Sequence, residues 1–129
     1  MQTAPPGQLV LMLYEGAIRF LDRALAGFLH DDPLQFNETI NNNIQKAQNI
    51  IRELNNSLDR SVGELADHLS RLYEYMDRRL MESNMRKEVD GIREVVTRLT
   101  VVRDAWATML QNQHTVPAVG SRLSLEPSF

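Results

Sequence analysis

Ile40, Ile44, Ala47, Ile51, Leu54 and Leu58 recur at spacings of four, three, four, three and four. That alternation holds one apolar seam on one side of an α-helix for about five turns. A strand, whose side chains switch faces every residue, cannot match it. A chain carrying such a seam must bury it against other helices. The start of this helix is also marked. Asp32-Pro33-Leu34-Gln35 reads as an N-cap, a proline at the first helical position and a capping-box glutamine. Asn55-Asn56-Ser57 and Asp59-Arg60 weaken its far end.

The five prolines bracket the chain: Pro5, Pro6 and Pro33 stand at helix starts, Pro117 and Pro127 near the end. Helix one is predicted from about Pro6 to Phe28 or Leu29, with a seam of Leu9, Leu13, Ala17, Phe20, Ala24 and Phe28. A second stripe of Val10, Tyr14, Ile18, Leu21 and Leu25 lies beside it, and Gly27 with His30-Asp31-Asp32 ends it. Ser61-Val62-Gly63-Glu64 reads as a capping box for helix three, which carries Leu65, Leu69, Leu72, Tyr73, Met76 and Leu80 and stops at Ser83-Asn84. Helix four runs from about Lys87 to Asn112, through Val89, Ile92, Val95, Val96, Leu99, Val102, Trp106 and Met109 or Leu110. Helices of ~20–26 residues are ~30–39 Å long, and short connections make sequential neighbours antiparallel. The expected fold is all-α: an antiparallel four-helix bundle over 1–112, with 113–129 as a flexible tail. A short extra helix in a terminal segment is compatible with this pattern.

With 129 residues, 43% of them apolar and 24% charged, the chain is one ordinary globular domain. A net charge of −3 without a lysine or arginine cluster argues against nucleic-acid binding. There is no cysteine, no apolar run of membrane-spanning length and no basic-then-apolar leader, so a cytoplasmic protein without membrane insertion is expected. Helical bundles can hold di-iron sites, but those need Glu-x-x-His pairs, and none occurs here. Glu64 and His68 form a lone i,i+4 pair, better read as exposed, so neither a metal nor another cofactor is expected. His68 invites comparison with histidine phosphotransfer bundles. Arg71 supplies their cation, but Leu72 stands where a small residue must admit the phosphoryl group. No strained nucleophile or triad is visible, so an enzyme is not expected.

Apolar residues exceed what a bundle needs. Leu9-Val10-Leu11-Met12-Leu13-Tyr14 covers the whole helix circumference, more than one packing face can bury. Leu11 and Ile18 leave the main seam of helix one, Ile50 lies beside that of helix two, and Leu65 and Leu72 widen helix three. Tyr75 and Arg79 extend that last flank, with Tyr75 either a partner contact or a half-buried surface ring. Met76, Met81, Met85 and Met109 read as core filler, and Trp106 as a core anchor whose N–H finds a polar partner. The wide faces have two readings: grooves open to an amphipathic partner helix, or faces that simply pack a bulky bundle or a homodimer.

Thr3-Ala4-Pro5-Pro6-Gly7-Gln8-Leu9, leading into Leu13-Tyr14-Glu15-Gly16-Ala17, resembles the opening of the flagellin export chaperones (FliS). Gln45-Lys46-Ala47-Gln48-Asn49-Ile50-Ile51 through Leu58-Asp59 is similar to that family's second helix. Leu72-Tyr73-Glu74-Tyr75-Met76 with Arg78-Arg79-Leu80 resembles its third, and Glu94-Val95 with Arg103-Asp104-Ala105-Trp106 its fourth. The resemblance spans 3–110, in order. It implies a cytoplasmic, non-enzymatic helical bundle that binds the disordered C-terminal segment of flagellin, prevents its premature polymerisation and helps deliver it to the export apparatus, with export-gate components as further partners. On that basis the expected contacts are Leu11, Tyr14 and Ile18 from helix one, Gln48, Asn49, Ile50 and Ile51 from helix two, and Leu72, Tyr75 and Arg79 from helix three. There are two departures. Family members carry a further stretch with an aromatic ahead of the Thr-Ala motif, where this sequence has Met1 and Gln2. Pro5 stands where serine is usual, which leaves Thr3 as a weaker N-cap.

Overall fold

A computed structural model describes residues 6–115. Four α-helices follow one another: α1 (Pro6–Gly27), α2 (Pro33–Asn56), α3 (Glu64–Arg86) and α4 (Asp90–Thr115), with a short 3-10 turn, Arg60–Val62, before α3. Each packs on its neighbour in sequence, and α1 also packs on α4, closing an up-down-up-down bundle. Every residue of the predicted α2 seam, Ile40 through Leu58, is buried, although Leu58 lies past the end of the helix at Asn56. The tail expected over 113–129 falls almost wholly outside the described residues, and α4 runs on to Thr115. A short extra helix in a terminal segment would likewise lie outside them.

Helix α1 corrects the expected seam. Val10, Tyr14, Ala17, Leu21 and Ala24 face the core, while Leu9 is exposed and Leu13 and Phe20 are half-buried. Both stripes were wide enough to serve, and the neighbours chose. Gly16 lies against Ile50 and Gly27 against Thr39 and Ile40, so the Gly16 flank is turned to α2. Phe20 is covered instead by cations, Lys46 and Arg23 each 5.5 Å from its ring centroid.

The α2 start has the expected N-cap and proline, with no bond from the Gln35 side chain among the described residues, and the α3 start differs. The Asp32 carboxylate accepts from the Leu34 N–H at 3.2 Å, with Pro33 in the first turn. Ser61 does not cap α3. Asp59 accepts from its backbone N–H (3.0 Å) and its hydroxyl (2.6 Å), closing the 3-10 turn instead. Those bonds hold the Asp59 carboxyl below its ordinary range. Gly63, at φ 71°, then starts α3 in a conformation open to glycine. At the other end α3 overruns Ser83-Asn84 to Arg86. Lys87 takes a left-handed φ of 54°, and the Lys87 and Glu88 N–H groups both donate to the Ser83 carbonyl. Lys87 is spent on this cap, so α4 starts later than expected, at Asp90.

Tyr14 of α1 and Tyr73 of α3 meet across the bundle axis, hydroxyl to hydroxyl at 2.5 Å, both buried. Burial pushes both phenols above their ordinary value, Tyr73 well above it. The ionised form is therefore confined to the unfolded chain, where tyrosine titrates near ~10. Stability from the pair is intact below that pH and is lost as pH rises towards the folded values. Tyrosinate absorbance from these two rings should thus appear only together with alkaline unfolding. Tyr14→Phe or Tyr73→Phe should each cost about 1–2 kcal/mol, by stranding the other hydroxyl. The double substitution should cost less than the sum, and strict additivity in urea melts would count against the bond.

Polar positions also repeat between α2 and α3. Asn41 and Gln48 on α2 stand seven residues apart, as do Asp77 and Asn84 on α3. Asn84 Nδ2 donates to Asn41 Oδ1 at 2.9 Å, and Gln48 Nε2 donates to Asp77 Oδ1 at 3.0 Å. Rungs at heptad spacing fix the register of two antiparallel helices, because a one-turn slip would part every pair.

Candidate functional site

The four packed edges are not equal: α1–α2 is the most extensive and α3–α4 the sparsest. Tyr75 and Arg79 both bond Glu94, which identifies the flank of α3 that meets α4. Leu65, Leu69 and Leu72 lie on that same flank, at i, i+4 and i+7. On α4, Val102 and Met109 continue the row begun by Glu94 and Arg98. Leu65 is 51% exposed, and Leu69, Leu72, Val102 and Met109 are half-buried, although all but Leu65 touch the core. An apolar groove therefore runs between the N-terminal half of α3 and the C-terminal half of α4. Val101, 64% exposed, widens its rim.

A polar clasp bounds the groove towards the α3–α4 connection. The Tyr75 hydroxyl donates to Glu94 Oε2 at 2.6 Å, Arg79 Nε to Oε1 at 2.9 Å, and Arg98 Nε to Oε2 at 3.0 Å. Arg98 also lies 5.1 Å from the Tyr75 ring centroid, with Arg78 at 5.8 Å. The Tyr75 bond, then those from Arg98 and Arg79, hold the Glu94 carboxyl below its ordinary range. Glu94 in turn raises Arg79. The groove is thus tied where this network sits and apolar where it does not.

The contact residues expected from the sequence are dispersed. Leu72, Tyr75 and Arg79 come together on the α3–α4 edge, Tyr75 as a half-buried ring with its hydroxyl engaged. Leu11 and Ile18 are half-buried on the flank of α1 opposite the Gly16 side, where α4 packs. Ile50 is half-buried against Gly16 on the α1–α2 edge. Asn49 is exposed on α2. Three placements differ from an open groove. Tyr14 and Ile51 are core residues, with 0% and 1% exposure. Gln48 is buried and already donates to the Asp77 carbonyl and carboxylate. Tyr14 carries a hydroxyl that bonds Tyr73, and Ile51 belongs to the α2 seam, so both were drawn inward. The methionines divide as well: Met76 is core and Met109 half-buried, but Met81 and Met85 are exposed.

Sequence reasoning passed over Glu94 as the centre of the clasp and Asp77 as the acceptor for Gln48 and Arg52. The only local signal was the i,i+4 spacing of Glu94 and Arg98, which many solvent-facing helices share. His68 is exposed in the first turns of α3, with Leu72 half-buried one turn on. Among the described residues, His, Cys, Asp and Glu side chains form no group that could hold a metal ion, and no helix is long and apolar enough to cross a membrane.

A groove with an apolar floor and a polar stop suits the binding of another chain. Comparison with known proteins agrees. The flagellar protein FliS family matches residues 1–113. The chain is 40% identical to the flagellar secretion chaperone FliS of Bacillus subtilis (strain 168), over 86% of its own length and 80% of that protein's. It is 39% identical to the chaperone of the same name from Salmonella typhimurium (strain LT2), covering 81% of this chain and 76% of that one. With the Escherichia coli (strain K12) chaperone the identity is 38%, over 84% and 78%. The chain belongs to the FliS family of flagellar secretion chaperones, proteins that accompany an export substrate and are not enzymes.

Proposed function

We propose that this protein binds the disordered C-terminal segment of flagellin in the cytoplasm, keeps it from polymerising early and helps deliver it to the flagellar type III export apparatus, whose gate components are further partners. The observation that carries the reading is the apolar groove between α3 and α4, on a chain of this family. The terminal segment of a filament subunit is amphipathic and self-associating, so covering its apolar face keeps it monomeric. Ordering a disordered segment costs entropy, and that cost keeps the complex reversible. Leu65, Leu69 and Leu72 supply apolar contact, while Tyr75 and Arg79 mark where polar recognition begins. Leu11, Ile18, Ile50 and Asn49 serve the stretches of partner that wrap beyond this groove. Tyr14, Gln48 and Ile51 act from within, by holding the helices in register.

Calorimetric titration with a peptide of the last ~40 residues of flagellin from the same source tests this. Sub-micromolar 1:1 binding with a large negative heat-capacity change is expected. Leu65→Asp should weaken binding about tenfold or more while changing stability by at most ~0.5 kcal/mol, since the site is open. Met81→Asp, equally exposed but beyond the clasp, should leave binding unchanged. No binding by the unaltered chain would sink the proposal. Equal losses in the two variants would move the site away from α3–α4.

A further inference from the structure

We propose that the α1–α2 edge is a second docking surface, which takes an acidic amphipathic helix of a protein partner while the α3–α4 groove is filled. The surface goes beyond the flagellin reading. It lies on the opposite edge of the bundle, and of the residues assigned to flagellin it borders only Ile50. Leu9, Met12, Gly16, Arg19 and Arg23 are spaced three, four, three and four residues apart, which keeps them on one flank of α1. Gly16 sets that flank beside α2, since a Cβ there would sit 3.4 Å from Ile50 Cδ1 and 3.8 Å from Arg19 Nη2. Leu9 and Met12 are 43% and 51% exposed. The strip is therefore apolar in its first turns and cationic two to three turns further on.

Three cations that are scattered in the sequence gather there. Arg23 of α1 and Lys46 of α2 each lie 5.5 Å from the Phe20 ring centroid, and Arg19 lies back over Gly16 one turn away. All three are exposed, and among the described residues none is paired with a carboxylate, whereas Arg52, Arg79, Arg98 and Arg103 each are. Glu15 and Asp22 fall outside the strip on α1. A cation held over a ring without a counter-charge is presented rather than neutralised, and its complement is a carboxylate. Glu53, exposed seven residues past Lys46 on α2, borders the apolar end instead. A uniformly negative surface, such as a bilayer or a nucleic-acid backbone, would press on Glu53 as well as on the cations. A helix with carboxylates roughly 10–16 Å beyond an apolar end avoids this. It meets Leu9 and Met12 first, then Arg19, Arg23 and Lys46.

The probe is a dye-labelled designed helix of about 20 residues, with Leu along one stripe of its first two turns and Glu along the same stripe thereafter. Its fluorescence anisotropy is followed with the full chain, alone and saturated with the flagellin peptide. It should bind at least about tenfold tighter than the same helix with Gln in place of Glu, whether or not the flagellin peptide is present. Arg19→Glu with Lys46→Glu should weaken binding about tenfold or more. Arg71→Glu with Arg93→Glu, the same charge change at exposed positions on other faces, should weaken it less than about twofold. Several results overturn the proposal: no binding, equal binding of the Glu and Gln helices, or equal losses in the two variants. Displacement by the flagellin peptide does so too, because it merges the two sites. So does capture of the chain by phosphatidylglycerol vesicles through the same three cations with no helix bound, which gives the surface to a membrane. If the flagellin peptide binds nowhere, the chaperone reading falls, and the chain alone still decides this one.

Discussion

Trp106→Ala should lower the melting temperature by roughly 10–20 °C, the largest effect expected of any single side-chain truncation in this bundle. Trp106 is 4% exposed near the end of α4, and its indole Nε1 donates to the Gly7 carbonyl at 2.8 Å. Gly7 is in the first turn of α1, where α4 and α1 approach each other. Removing the ring leaves a cavity of aromatic size, which costs about 3–5 kcal/mol. Whole domains of this size have only about 5–15 kcal/mol to lose. The bond adds to this, because a buried donor fixes where α1 begins. Trp106→Phe separates the two contributions: it keeps most of the volume, loses the donor and should cost about 1–2 kcal/mol. A shift below about 5 °C for Trp106→Ala would mean that the α1–α4 corner collapses to fill the space.

Gly91→Ala is expected to be the most damaging one-carbon change. A Cβ there would sit 2.0 Å from Ser83 Oγ and 2.7 Å from Arg79 Nη1. Arg79 is the flexible end of a long side chain and can give way, though at the expense of its bond to Glu94. Ser83 cannot, because it is buried with 1% exposure inside α3. Alanine is the better helix former by up to ~1 kcal/mol, but near a helix start that gain is smaller than the overlap. A net loss of about 1–3 kcal/mol is expected, with α3 and α4 forced apart. Among the described residues Ser83 Oγ has no hydrogen-bond partner, so Ser83→Ala should be close to neutral by itself. In combination it should recover more than half of the Gly91→Ala loss in urea melts. Simple additivity would show that the overlap is relieved elsewhere. Because the same contact touches Arg79, Gly91→Ala should also loosen the clasp and weaken flagellin-peptide binding more than Ser83→Ala does.

These two positions also show what could be read in advance. Trp106 was legible as an anchor with a polar partner, because a lone late tryptophan on an apolar seam has few other uses. Gly91 and Ser83 were opaque. A glycine in the first turn of a helix and a serine in the last turns of another both look like punctuation, and Ser83 was read as a stop. Their real relation is contact between two helices, and neither sequence neighbourhood carries a sign of it.

The α2 seam was determined by sequence alone, since a strict 4-3-4-3-4 repeat admits one face and every member is buried. The Asp32-Pro33 start of α2 was determined in the same way, because a cap is made within a few residues of chain. Tertiary structure decided the rest. In α1, two adjacent stripes had equal claims, and the approach of Gly16 and Gly27 to α2 settled which faced inward. Tyr14 was drawn into the core by Tyr73, fifty-nine residues away in the chain. The groove itself depends on how closely α3 and α4 approach, and the Glu94 clasp sets that at one end only. Periodicity states how wide an apolar face is; only the neighbouring helices state which part of it is covered.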